Sequence, residues 1–186
     1  MGGARAHPAV ELSQRVGRRK MKDALEDFRR TVEDAADALL ALTEAQSERR
    51  PAPGKWSAKE VVGHLIDSAA NNHQRFVRAQ FQDDLVFPGY EQEEWNAAQH
   101  YREESWPRLV ELWRLYNLHL LHVVSHITEE ELRRPRHPHT LHRIAWRLVA
   151  EGEPATLEYL IRDYIEHLKH HLGQIVHADA ERGSNE

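Results

Sequence analysis

Four stretches of the chain repeat apolar residues at the three- and four-residue intervals of an amphipathic helix. The first runs from Lys22 to Thr43 and carries Ala24, Leu25, Phe28, Val32, Ala35, Ala36, Leu39, Leu40 and Leu42. The second runs from about Ala58 to Phe81, with Val62, Leu65, Ile66, Ala69, Phe76 and Val77 on its apolar side. Ser57, followed three residues later by Glu60, forms a capping box at its start. The third is capped by Ser105, has Pro107 in its first turn, and aligns Leu109, Leu112, Trp113, Tyr116, Leu120, Val123, Val124 and Ile127. The fourth runs from Thr156 to Ala178. With His167 set at zero and 100° per residue, Leu160, Tyr164, Leu157, Ile175, Leu168, Ile161, Leu172 and Ile165 fall between roughly 20° and 160°.

The remaining segments connect these helices. Pro51-Ala52-Pro53-Gly54 breaks the chain after the first helix. Gln82 to Tyr101 is a connection rich in acids and aromatics, with a turn at Pro88-Gly89; its aromatics suit either a plug at the bundle end or the wall of a ligand pocket. Arg133 to Pro154 is long, basic and irregular, and Ile144 to Val149 suits a short strand or a helical turn. No strand pattern is strong enough for a sheet. The pattern predicts an all-α protein, a four-helix bundle with long connections between helices two and three and between helices three and four. Residues 1–20 read as a loose arm ending in Arg18-Arg19-Lys20, residues 21–180 as a single domain, and residues 181–186 as a tail.

Composition narrows the chemistry. A chain of 186 residues fits one domain with a real core. A net charge of −5 gives no basic excess for nucleic acid, and the basic cluster in the arm reads as solvated. The absence of cysteine excludes disulfides, thiolate-ligated zinc and a cysteine nucleophile. No apolar run spans a bilayer and no signal-peptide core opens the chain, so a cytoplasmic location without a membrane partner is expected. The unusual count is 14 histidines, which invites metal or proton chemistry.

His167 lies at the edge of the apolar arc and His171 inside it, near 40°. Two imidazoles four residues apart point the same way and can share a divalent ion; the alternative is a pair bonded to core groups or water. His170 points away and reads as solvated. His64, Ser68, Asn71 and Arg75 form a polar line along the second helix at the margin of the core, which by itself reads as a solvated face. His119, His122 and His126 fall off the apolar face of the third helix and read as solvated or interfacial. Leu115 and Leu118 on its back suggest a second buried surface, as in a homodimer. There is no Glu-x-x-His for a di-iron site, no His-Glu-x-x-His, no glycine-rich phosphate loop and no Gly-x-Ser-x-Gly. A site of three histidines, two of them His167 and His171, is the metal chemistry left.

Trp56-Ser57-Ala58-Lys59-Glu60-Val61-Val62-Gly63-His64-Leu65-Ile66-Asp67-Ser68, with Asn71 and Arg75-Phe76 beyond it, resembles the second helix of the DinB/YfiT-like superfamily. Phe87-Pro88-Gly89-Tyr90-Glu91-Gln92-Glu93-Glu94-Trp95 resembles the segment that follows in that family, and Thr156-Leu157 leading to His167-Leu168-Lys169-His170-His171-Leu172-Gly173-Gln174-Ile175 resembles its closing helix. The resemblance extends from about Met21 to the end of the chain. It implies a four-helix bundle of unusual connectivity, often dimeric, in which His64, His167 and His171 bind one divalent metal: nickel or zinc first, with iron, manganese or copper as alternatives. It implies a metal-dependent enzyme acting on a small molecule, either a thiol S-transferase using a low-molecular-weight thiol such as bacillithiol or mycothiol, or a hydrolase. The competing implication is a non-catalytic, stress-associated metal-binding or dimerisation bundle. Asp67, Asn71, Arg75 and Tyr90 are then the candidates for contacts to substrate or to the metal's ligands. Some members have histidine where this chain has Gln174 and glycine where it has Leu168, which leaves subgroup and substrate undefined.

Overall fold

The computed structural model describes residues 8–183, and the side chains of residues 21–175. Its helices are α1 (Pro8–Leu40), α2 (Glu44–Glu48), α3 (Ala58–Arg78), α4 (Gln92–Ala98), α5 (Trp106–Ser125), α6 (Glu129–Arg133), α7 (Leu141–Ile144) and α8 (Leu157–Gly183), with a 3-10 turn at Tyr101–Glu103. The four long helices are the four that the apolar pattern marks. Helix α1 begins at Pro8 rather than Lys22, so the backbone of residues 8–20 is helical where the composition reads as an arm. Proline is well suited to a first turn, and the residues after it are mostly good helix formers. Residues 1–7 of the expected arm and 184–186 of the expected tail lie outside the described residues.

Among the long helices the main contacts are α1 with α5, α5 with α3, α3 with α8, and α8 with α1. The two long helices that come first in the chain, α1 and α3, therefore occupy one diagonal of the bundle, and α5 and α8 the other. The connections α1 to α3 and α5 to α8 therefore cross a diagonal while α3 to α5 joins neighbours, and all three carry structure of their own, α2 in the first. Residues 79–105 carry α4 and the 3-10 turn; residues 126–156 carry α6 and α7. They are laced together where the Leu85 amide donates to the Pro138 carbonyl (3.1 Å), the Thr140 amide to the Leu85 carbonyl (3.1 Å), and the Phe87 amide to Thr140 Oγ1 (2.9 Å). Arg136 and Ala155 exchange a second pair of backbone bonds (2.8 and 3.2 Å). These are isolated bridges, not a sheet.

Helix ends are satisfied locally. Ser57 Oγ accepts from the Glu60 amide, and the Glu60 carboxylate accepts from the Ser57 amide (2.8 Å), completing the expected capping box. Arg50 grips the same carboxylate. At the same end of the bundle the Trp106 indole donates to the Leu39 carbonyl in the last turn of α1 (2.8 Å), and the Trp106 amide donates to the Glu44 carboxylate. Lys59 is only 1% exposed; it pairs with Glu44 and Glu48 and donates to the Arg102 carbonyl, fastening α2 and the 3-10 turn to α3.

The α5 face differs from its pattern in detail. Leu112, expected in the core, is 49% exposed, whereas Leu118, expected on a second surface, packs against the bundle's own core. Leu115 is 52% exposed. Among the described residues no helix is long and apolar enough to cross a membrane.

Candidate metal centre

Helix α3 is buried almost all round for its first three turns, because α5, α8, α4 and the 3-10 turn each cover a side. His64 is therefore 2% exposed. The solvated face read from its polar line is corrected here: Ser68 and Arg75 are buried as well, and only Asn71 reaches partial exposure. Gly63 has a specific task beside His64. A Cβ built there would lie 2.1 Å from the Tyr101 ring, so only glycine lets that ring rest on the α3 backbone. The Tyr101 hydroxyl then donates to Asp67 Oδ1 (2.7 Å), joined by Gln99 Nε2 (2.8 Å). Burial pushes the Asp67 carboxyl above its ordinary value, against the pull of these two donors.

Helix α8 brings the other two imidazoles to the same place. His64 Nε2 and His167 Nε2 are 3.3 Å apart, and the ring centroids of His171 lie 4.8 Å from His64 and 4.5 Å from His167. One nitrogen from each of the three lies within 4.8 Å of the others. Two nitrogens held tetrahedrally at zinc's usual ~2.05 Å would stand about 3.3 Å apart, which is the separation of the His64–His167 pair. His171 Nδ1 donates to Gln174 Oε1 (3.0 Å), leaving Nε2 as the free lone pair, and the Gln174 amide nitrogen continues to His170 Nε2 (3.1 Å). A bond to the far ring nitrogen is how metal-binding histidines are oriented. The His64 Nδ1 is buried without a partner.

Burial, then the neighbouring His171, drops His64 to about 4. Burial, followed by His171, His64 and His170, drops His167 to about 3. His171 is lowered by burial, with Gln174 acting the other way. All three are neutral near pH 7, the form that binds a cation. The chemistry of this donor set fits a divalent ion without displacement of protons.

A cavity of about 210 Å³ opens beside the cluster, with His64 and His167 in its wall. Ser68, Asn72, Arg75 and Tyr90 face it from one side; Arg143, Trp146, Asp163 and Tyr164 face it from the other. Of the expected contact residues, Arg75 and Tyr90 line it. Asn71 does not: its amide donates to the Asp67 carbonyl one turn back (2.9 Å), and its neighbour Asn72 takes the place beside the cavity. Asp67 does not line it either, being held by Tyr101 and Gln99. Burial, with Asp67 next, raises the Tyr90 hydroxyl to about 12, so it stays protonated. Asp163 and Trp146 went unmarked in the sequence. The Asp163 carboxylate accepts from the Trp146 and Arg147 amides (2.8 Å each), which folds the 145–147 turn over the site. On the α8 wheel Asp163 falls about 60° outside the apolar arc, so the apolar period carried no signal for it. Trp56 packs on the His64 ring (5.2 Å between centroids) and Trp146 on His167 (6.3 Å).

Other histidines of the described residues lie outside the three-histidine cluster. His119 and His122 are exposed on α5 and His126 at its C-cap, as expected, and His170 is exposed on α8. His139 is buried but structural: its Nε2 donates to the Glu153 carbonyl (2.7 Å).

Comparison with known proteins is consistent with this geometry. The family model described as the DinB superfamily matches residues 24–175. No curated protein matches. Among solved structures, YfiT from Bacillus subtilis, described as a probable metal-dependent hydrolase with an unusual four-helix bundle topology, superposes with a TM-score of 0.72 at 16% identity. The match covers 98% of this chain and 93% of that one.

Proposed function

The chain belongs to the DinB superfamily, and on that premise we propose that it is a metal-dependent enzyme whose ion is held by His64, His167 and His171. The observation that carries the reading is the 3.3 Å approach of His64 to His167, with His171 beside them, at the wall of a cavity. Three neutral imidazoles suit nickel or zinc, with iron, manganese or copper as further candidates. A divalent ion with three protein ligands keeps an open position and supplies Lewis acidity that lowers the pKa of a water or thiol.

The chain's own groups do the rest. Gln174 fixes the His171 ring; Trp56 and Trp146 screen the imidazoles; Tyr90, protonated, offers a hydrogen-bond donor to a substrate in the cavity; Arg75 offers a cation there. Both hydrolysis and thiol S-transfer fit this outline. The cavity volume favours hydrolysis: at about 210 Å³ it is below the roughly 300–1,000 Å³ of sites for drug-sized ligands, which leaves little room for a thiol cosubstrate and an electrophile together. The likeness to YfiT supports the same arm.

Metal content by elemental analysis and turnover of a panel of small esters, amides and thiol-electrophile pairs test the proposal. His171→Ala is expected to abolish both metal binding and turnover. His126→Ala, at the exposed C-cap of α5, is expected to leave both intact. Turnover surviving in the His171→Ala protein would remove the metal from the reaction.

A further inference from the structure

Three cationic side chains are buried among the described residues: Lys59, Arg75 and Arg136. Lys59 has Glu44 and Glu48, and Arg136 has Glu131 at 2.6 Å. Arg75, 6% exposed, has only neutral acceptors: Asn72 Oδ1 (3.4 Å) and the Pro88 carbonyl (3.1 Å). A buried charge is normally paired, and a guanidinium carries five N–H donors, more than these two bonds use. Its neighbours hold it in plane without neutralising it. The Asn72 amide is itself anchored on the Ser68 carbonyl (2.9 Å), and the Pro88 carbonyl belongs to the connection that also positions Tyr90.

The unpaired guanidinium faces the cavity, not the core. Arg143, on α7, lines the same cavity and forms no ion pair among the described residues. The acid on the cavity wall, Asp163, has its two oxygens committed to the Trp146 and Arg147 amides. The cavity thus presents two cations and no free carboxylate of its own.

We propose that the cavity binds an oxyanion: the substrate is a small molecule bearing a carboxylate or phosphate, which pairs with the fork of Arg75, with Arg143 at its side, while its reacting centre lies toward His64 and His167. This rests on the preceding proposal for the reaction, but not for the binding. A planar fork suits both kinds of oxyanion, and the two are separated by the probe.

The test is calorimetric titration of the full chain, stripped of metal with a chelator, with succinate, with inorganic phosphate and with neutral succinamide. Succinate or phosphate is expected to bind at least tenfold more tightly than succinamide, in both wild type and His171→Ala. A response to succinate alone identifies a carboxylate, and one to phosphate alone a phosphate ester. Arg75→Met is expected to weaken the anion about tenfold or more, and Arg75→Lys, which keeps the charge but loses the fork, by an intermediate factor. Equal anion binding in wild type and Arg75→Met would overturn the proposal. So would a wild type that does not distinguish succinate from succinamide, a comparison that needs no variant to fold. Failure of the two proposals is distinguishable: a protein that takes up metal but ignores anions refutes this one, and a protein that binds anions at Arg75 but no metal refutes the other.

Discussion

Acid should loosen the metal-free protein through two of the three imidazoles that make the site, His64 and His167. In the unfolded chain each titrates near 6.5; folded, His64 is held to about 4 and His167 to about 3 by burial. Between these limits the unfolded chain binds more protons than the folded one, so stability rises with pH and is lost as pH falls below 6.5. From pH 7 to pH 5 each histidine costs about 1.9 kcal/mol by that linkage, nearly 4 kcal/mol together. That is a large share of a total that is about 5–15 kcal/mol for most domains. Asp67 works in the opposite direction, since its carboxyl is raised by burial and gains a proton more readily in the folded state. The assay is urea unfolding in the presence of a chelator at both pH values, for wild type and the double variant His64→Gln, His167→Gln. The wild type should lose about 4 kcal/mol more than the variant between pH 7 and pH 5. Equal losses would refute the account, because they would mean that neither imidazole is shielded from protons by the fold.

Two glycines predict opposite outcomes. Gly63→Ala drives a methyl into the Tyr101 ring, within 2.1–2.7 Å of three of its carbons, and displaces the hydroxyl from Asp67; it should destabilise by about 3 kcal/mol and lower the thermal midpoint by roughly 6–12 °C, and an unchanged midpoint would contradict the packing. Gly173→Ala, inside α8 with nothing within 4 Å of the added carbon, should stabilise by about 0.5–1 kcal/mol and raise the midpoint by a few degrees; a fall would mean that the position is not open.

The apolar periods of the four long helices are local properties, and they located those helices closely because each buries a stripe. His64 was harder. Its polar line looks solvated on a wheel that allows α3 a free side, and only the arrival of α4, the 3-10 turn and α8 removes that side. The resemblance of the Trp56–Ser68 run to a known family supplied the assignment that periodicity withheld. Asn71 and Asn72 show the limit at single-residue scale: both sit near the line, and which of them faces the cavity depends on how α3 is rotated against α8. Asp163 and Trp146 could be related only by folding residues 126–156 back over the bundle, a path set by Leu85, Thr140 and Ala155 rather than by any local propensity. The start of α1 was missed because basic and small residues resemble a linker in composition while still being competent helix formers.

The pairing of α3 with α8, far apart along the chain, has a consequence for biosynthesis. His64 emerges from the ribosome more than a hundred residues before His167, and the three-histidine cluster forms only once α8 has docked on α3. Until then a nascent chain exposes a lone imidazole, and premature termination anywhere before α8 yields a product that holds one ligand of three. In the proposed centre, capture of an ion would thereby wait for the synthesis of α8.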